Sequence, residues 1–516
     1  MTDPHLPRLS SGISRRAFTT GALAALGGAA LYASGRPPMA SARPAAESYG
    51  LTVDPATHTV GRDFFGVNGA RIISAENARQ WHDPAFRDAL AAVGPGLIRV
   101  QGGTTSQWLD WRTGLFEEDK GGGFGGRNDG RPPLLLTDWA ELVRNSGATA
   151  VFDLNVLNAT LDDQLDMLRE ARRLGLPVRY VELGNELWVP GRPYTTVFPT
   201  GADYARAMND WIPAIRREFP QARIGVSAAV PMAVAALSPR YADWNDGLFA
   251  TIRDADAAVF HPYWVVDPVA ADIASTAGGG VATWTDLAAN TLSKVPAGMD
   301  IWITEYNQMG REATPPLTLL PPVRQTWAVG LSVASFTLRA LLDPRMRMAV
   351  MHCALNGVPA ADTGGGGTTN QAVHALISDG SGGSELFGRT ALNWALTPIY
   401  RSMTDGAEVS ALRLDPGVRI PAALLMPPVA GPVDACTGVQ LSAPGLTTGI
   451  LVNTSDRPLR ITLPPSLAGA QEATIYTAAP TAAPAFEPGV TISAIGVAAS
   501  DHLDVPAYSE AVLRKR

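Results

Sequence analysis

Cysteine is nearly absent from this chain: Cys353 and Cys436 are the only two in 516 residues. That excludes a disulfide framework, so the fold must be held by buried apolar surface. Basic excess is lacking too. Lysine and arginine total 41 against 48 acidic residues, a formal charge of −7, which leaves no cationic surplus to neutralise a nucleic-acid backbone. The seven histidines are scattered, and no His-Glu-x-x-His or His-x-His pattern occurs among them. A Gly-x-Ser-x-Gly nucleophile elbow is missing as well. Metal-dependent and elbow-serine hydrolases are therefore disfavoured, and no metal or cofactor is expected. Residues 121–126 satisfy Gly-x-Gly-x-x-Gly literally, but they follow Glu117-Glu118-Asp119-Lys120 rather than a strand. They read as a loop, not as a phosphate cradle.

What is present begins with an export-like segment. Ser14-Arg15-Arg16-Ala17-Phe18 resembles a twin-arginine signal, an Ala/Gly/Leu-rich run covers 17–35, and Ala40-Ser41-Ala42 offers a cleavage site. The run is too weakly apolar for a membrane span, and no further stretch reaches spanning length. Residues 1–45 are thus expected to be a signal peptide, and the mature protein to be secreted or periplasmic without a membrane anchor.

From residue 61 short apolar runs alternate with amphipathic stretches. Strands are predicted at 64–69, 96–101, 149–154, 178–183, 223–228, 257–262, 300–304 and 346–353. Helices are predicted to follow at 83–92, 137–145, 161–174, 202–219, 242–253, 285–294, 325–342 and 388–403. Runs such as Ala257-Ala258-Val259-Phe260 suit parallel strands buried on both faces. Eight such units predict an α/β fold, a (β/α)8 barrel, over 61–405. Helical periodicity then ends. Residues 406–516 read as a β-sandwich, and 46–60 as an N-terminal strand joining it. Gly-rich insertions at 121–133 and 360–384 would lie on the face where barrel loops carry chemistry.

In that frame Glu186 ends the fourth strand and Glu305 the seventh, and strand ends on that face converge. A pair of carboxylates there is what glycosidic cleavage uses: one protonated, to donate to the leaving oxygen, the other ionised, to attack the anomeric carbon. A lone glutamate after a strand would be an ordinary solvated residue.

Gly184-Asn185-Glu186 and Trp302-Ile303-Thr304-Glu305 resemble the acid/base and nucleophile segments of the retaining glycoside hydrolases built on (β/α)8 barrels, clan A. Within it, Tyr180-Val181-Glu182-Leu183-Gly184-Asn185-Glu186 is most similar to the heparanase and β-glucuronidase family, glycoside hydrolase family 79. Ile98-Arg99-Val100-Gln101-Gly102-Gly103-Thr104 is similar to that family's strand-two segment, with one additional residue. The arabinofuranosidase and xylosidase families share the same plan. The resemblance implies a retaining O-glycosyl hydrolase acting on a poly- or oligosaccharide, with Glu186 as acid/base and Glu305 as nucleophile. It also implies that Asn185 bonds the sugar's 2-hydroxyl and that Arg99 faces the nucleophile and keeps it ionised.

The resemblance also makes Tyr263 the candidate to hydrogen-bond Glu305, with His261 beside it; a role as satisfied rim residues is the alternative for both. Trp188, Trp264, Trp108 and Trp111 fall just beyond strand ends, where an indole could stack on a sugar ring; packing under loops is the alternative for each. His352 and Asn356 rank behind these. Two other classes remain open: a non-catalytic carbohydrate-binding protein on the same scaffold, which would not need Glu186, Glu305, Asn185 and Arg99 together, and a transglycosylase.

Overall fold

The structure is a computed structural model, and it describes residues 47–69, 74–121, 125–230, 239–266, 272–310, 326–356, 375–380, 383–422 and 429–516. Eight parallel strands close into a barrel. We number them β1 (Phe65–Asn68), β2 (Leu97–Val100), β3 (Thr149–Asp153), β4 (Tyr180–Leu183), β5 (Arg223–Ser227), β6 (Ala257–Phe260), β7 (Asp300–Ile303) and β8 (Met346–His352). β8 pairs with β1 through Ala349 opposite Phe65, which closes the ring.

Alternation along these strands sorts the side chains. Leu97, Val151, Tyr180, Ala257, Val259, Trp302, Met348 and Val350 form one buried cluster, the apolar plug of the barrel. Gly66 belongs to this packing, because a Cβ there would sit 2.4 Å from the Leu97 Cβ. The outward-facing residues join helices in a larger core.

Local signals place most helices. Asp83 caps Pro84–Val93 by accepting from the Ala85 N–H, proline occupies the first turn, and Gly94 closes the end in the left-handed region. Thr200 and Asp203 form a reciprocal capping box at the start of Gly201–Glu218. One helix departs from expectation. The segment predicted to become helical at 285 is helical from Ile273 to Asn290. Its Ala-Gly-Gly-Gly tract reads as loop by propensity, yet its small side chains allow contact with the helix Trp327–Leu341: a Cβ on Gly280 would lie 2.0 Å from the Ser332 carbonyl oxygen. Close helix packing overrides the propensity cost of glycine.

The C-terminal domain is β-rich. Among the described residues ten strands make one hydrogen-bonded sheet that includes Ser48–Val53, antiparallel to Ala407–Asp415 and parallel to Leu459–Thr462, and Arg419–Ile420 pairs separately with Val433–Asp434. The sheet curls round its own core of Tyr49, Leu51, Leu451, Ile461 and Leu513. Ile450 and Val452, one residue either side of Leu451, point the other way and join the barrel's core. The expected signal segment, residues 1–45, lies outside the described residues, as does most of the 360–384 insertion. Cys353 is buried and Cys436 half-buried, and no disulfide joins the two.

Candidate active site

The period of two that builds the apolar plug also builds the site. Two residues after Leu97, Val151, Tyr180, Val259, Trp302 and Val350 stand Arg99, Asp153, Glu182, His261, Thr304 and His352. All six are buried. A polar layer therefore rests directly on the apolar one at the C-terminal ends of the strands, with Asn68 completing it from β1.

Glu305 follows β7 and is buried. Its Oε1 accepts from Arg99 Nη1 at 2.6 Å and from Asn68 Nδ2 at 2.9 Å. Its Oε2 accepts from the Tyr263 hydroxyl at 2.6 Å, and His352 Nδ1 stands 3.9 Å away. Tyr263 is held in place by a short strand, Tyr263–Val266, which pairs in parallel with Asn307–Gly310 above the barrel. Burial alone would raise the Glu305 pKa. The positive charges of His261, His352 and Arg99, with the Tyr263 hydrogen bond, outweigh it and hold Glu305 down to about 2. Burial and the Glu305 charge in turn push Tyr263 well above its ordinary value, so it stays a donor.

Glu186 follows β4 in the left-handed region, at φ 49, after Gly184 at φ 85. Such a conformation costs a glutamate roughly 1–3 kcal/mol. Glu186 is half-buried and its Oε1 lies 3.2 Å from His261 Nδ1. The other ring nitrogen, Nε2, is 2.9 Å from Thr304 Oγ1 and 3.5 Å from Glu182 Oε1. Burial would lower the His261 pKa, but the Glu305 charge and the hydrogen bonds with Glu182 and Glu186 carry it up to about 10. His261 is an imidazolium at neutral pH.

Oxygens of Glu186 and Glu305 and a ring nitrogen of His261 lie within 4.8 Å of one another. By type and distance these three atoms could hold a cation. Their chemistry argues otherwise: the imidazolium has no free lone pair, both Glu305 oxygens already accept hydrogen bonds, and the Arg99 guanidinium touches the same carboxylate.

Of the residues singled out in the sequence, Arg99, Asn185, Glu186, His261, Tyr263, Glu305 and His352 meet at this one place. Asn185 is buried, and its Oδ1 accepts from Arg99 Nη2 at 3.0 Å. Trp188 and Trp264 do not belong to it, which corrects their reading as sugar-stacking residues. Trp264 is 2% exposed, stacks on Phe336 at 5.0 Å and donates its indole N–H to Ser332 Oγ. Trp188 is 3% exposed and packs on Tyr241 at 5.1 Å. Neither has a free face. Trp108 is equally covered, by Tyr194, and Trp111 is capped by the Arg112 guanidinium at 4.2 Å.

Four residues of the site escape the sequence reading: Asn68, Asp153, Glu182 and Thr304. A signal for three of them exists. Asn68, Asp153 and Glu182 are polar residues within or ending apolar strand runs, and a polar residue there must be paired or functional.

No protein-family model matches the chain, and no curated protein matches it. Solved structures do. AbfB, a family 51 α-L-arabinofuranosidase from Bifidobacterium longum, superposes with a TM-score of 0.67 at 15% identity, covering 91% of this chain and 100% of that one. An α-L-arabinofuranosidase from Thermotoga maritima, solved with arabinose, gives 0.62 at 15% identity over 90% and 99% of the two chains. A 4-O-α-L-rhamnosyl-β-D-glucuronidase from Fusarium oxysporum gives 0.54 at 13% identity, over 90% and 100%. The chain shares the fold of these glycosidases. It is a (β/α)8 barrel with an attached β-rich domain, and the likeness extends across both parts.

Proposed function

We propose that the chain is a retaining O-glycosyl hydrolase, with Glu305 as nucleophile and Glu186 as acid/base. One observation carries the reading: carboxylate oxygens of the two residues lie within 4.8 Å on the open face of the barrel. Retaining glycosidases hold this pair about 5–5.5 Å apart, whereas inverting enzymes need about 6.5–9.5 Å to admit a water.

The chemistry follows. Glu305 Oε1 takes two donors and Oε2 only one, so Oε2 keeps a lone pair for the anomeric carbon. Glu186 gives its proton to the departing glycosidic oxygen as the C–O bond breaks and an ester to Glu305 forms. It then removes a proton from the water that cleaves this ester. Asn185, locked by Arg99, would offer its amide to the 2-hydroxyl. None of these steps requires a cofactor.

The structural neighbours include arabinofuranosidases and a glucuronidase, which supports an exposed α-L-arabinofuranosyl or β-D-glucuronyl residue as the first substrates to try. The finer placement, in family 79, rests on the Tyr-Val-Glu-Leu-Gly-Asn-Glu segment. The twin-arginine-like segment supports action outside the cytoplasm on poly- or oligosaccharides. Among the described residues, no helix is long and apolar enough to cross a membrane.

The test is a panel of 4-nitrophenyl glycosides (arabinofuranoside, glucuronide, xyloside, glucoside, galactoside) with the wild type, Glu305→Gly and Glu186→Ala. Glu305→Gly should abolish turnover, and azide should restore it with a product of inverted configuration. Glu186→Ala should slow poor leaving groups far more than activated ones. Wild-type rates in both variants, or no hydrolysis across the panel, would overturn the assignment.

A further inference from the structure

Glu182 takes no part in the double displacement, yet it is among the most connected groups in the barrel. It lies within β4, in an otherwise apolar run, and is fully buried. A carboxylate placed there is costly unless other charges meet it. Its Oε2 accepts from Arg99 Nε at 2.8 Å and its Oε1 from Arg99 Nη2 at 2.7 Å, a two-point grip on one edge of the guanidinium. That grip leaves Nη1 aimed at Glu305. The same Oε1 stands 3.5 Å from His261 Nε2, while His261 Nδ1 faces Glu186. One buried carboxylate thus touches the cation serving the nucleophile and the cation serving the acid/base.

We propose that Glu182 is a positioning residue that ties the two catalytic carboxylates together through Arg99 and His261, and that it holds the site's buried charge while Glu305 is esterified. The inference rests on the glycosidase reading above. Burial would raise the Glu182 pKa, but Arg99 and His261 lower it below the ordinary range, so it is ionised. Its neighbour Asp153 is pushed the other way, first by burial and then by the Glu182 charge, although Arg99 opposes this. Asp153 Oδ2 lies 3.2 Å from Arg99 Nη2 and accepts from Ser106 Oγ and the Gly103 N–H, so it stands on the same guanidinium as Glu182.

The groups facing His261 are Arg99 from β2, Asp153 from β3, Glu182 and Glu186 from β4 and its end, and Thr304 and Glu305 from β7; Tyr263 and His352 stand on Glu305's far oxygen. When Glu305 becomes an ester its charge disappears. Glu182 then holds His261 from Nε2, while the Glu186 carboxylate, its proton given up, meets the ring at Nδ1 and is kept oriented for the water. Without Glu182 the second step should suffer more than the first.

The experiment compares wild type, Glu182→Gln and Glu182→Asp on a 2,4-dinitrophenyl glycoside of the best sugar from the panel, whose leaving group makes ester hydrolysis rate-limiting. For Glu182→Gln, kcat should fall roughly 10- to 100-fold, as expected for the loss of charge-assisted hydrogen bonds, with a burst of dinitrophenol and no rise in KM. The alkaline limb of its kcat profile should move down by about one pH unit or more. Glu182→Asp should return the limb towards wild type. An unmoved limb, or an Asp variant no better than Gln, would overturn the proposal.

A measurement on the wild type covers the case of variants that fail to fold. In enzyme trapped with the 2-deoxy-2-fluoro analogue, the 15N shifts of His261 should remain those of an imidazolium at pH 8. A neutral ring would overturn the proposal. Absence of any aryl-glycoside hydrolysis or trapping would instead count against the functional reading itself.

Discussion

At the scale of single residues, the site depends on which charges can leave water together. Glu305 is buried and still ionised because positive charge at His261, His352 and Arg99 surrounds it and the Tyr263 phenol donates to it. The phenol is the simplest of these to remove. Tyr263→Phe deletes a 2.6 Å hydrogen bond to a charged oxygen and leaves the ring in place. Such a bond contributes about 1.5–3 kcal/mol, so kcat on an activated aryl glycoside should fall roughly 10- to 100-fold. An unchanged kcat would show that Arg99 and Asn68 alone set the reactivity of Glu305. Much of this layer is legible in sequence as chemistry. Glu186, Glu305, Arg99 and Tyr263 stand out by type and by position at strand ends. Glu182 shows only as a polar residue between Val181 and Leu183 that needs a partner; which partner, the Arg99 guanidinium, is not written there.

At the scale of elements, backbone proximity decides what propensity leaves open. The helix Ile273–Asn290 is half-written in its sequence: Asp272 caps it by accepting from the Ser275 N–H, but three successive glycines weaken its start. It forms because the helix Trp327–Leu341 lies against it. The Gly280 N–H even donates to Ser332 Oγ at 2.9 Å. Gly280→Ala is therefore expected to destabilise, although alanine is the better helix former. The added methyl would meet the Ser332 carbonyl, and overpacking of this kind costs roughly 1–3 kcal/mol. The urea midpoint reads the outcome; a rise in the midpoint would mean the two helices have room to separate.

At the scale of the whole molecule, barrel and sheet share one core, since Val409, Val439, Leu441, Ile450 and Val512 of the sheet belong to the barrel's apolar cluster. The indole N–H of Trp327 also donates to the Tyr508 carbonyl at 2.7 Å. A charge deep in the barrel then bears on the stability of the whole. His261 binds its proton more tightly in the folded state, up to about 10 against an ordinary 6.5. Its contribution is complete below pH 6.5 and is lost as pH rises through 10, because the unfolded chain releases the proton first. Asp153, also raised, acts with the same sign from lower pH. The urea midpoint should decline between pH 6.5 and 10, and His261→Gln should flatten that decline. A wild-type midpoint that held constant across this range would contradict it.

The chain's own order of residues determined the succession of strands and helices, the two-residue alternation within each strand, and the acids at the ends of β4 and β7. These are local matters: hydrophobic periodicity and capping act over a few residues and can be read directly. Only tertiary structure decided that Glu182 grips Arg99, that His261 is charged, that Trp188 and Trp264 are covered, and that a glycine tract is helical. Each of those outcomes depends on groups distant in the chain meeting out of water, where pairing sets both charge state and position.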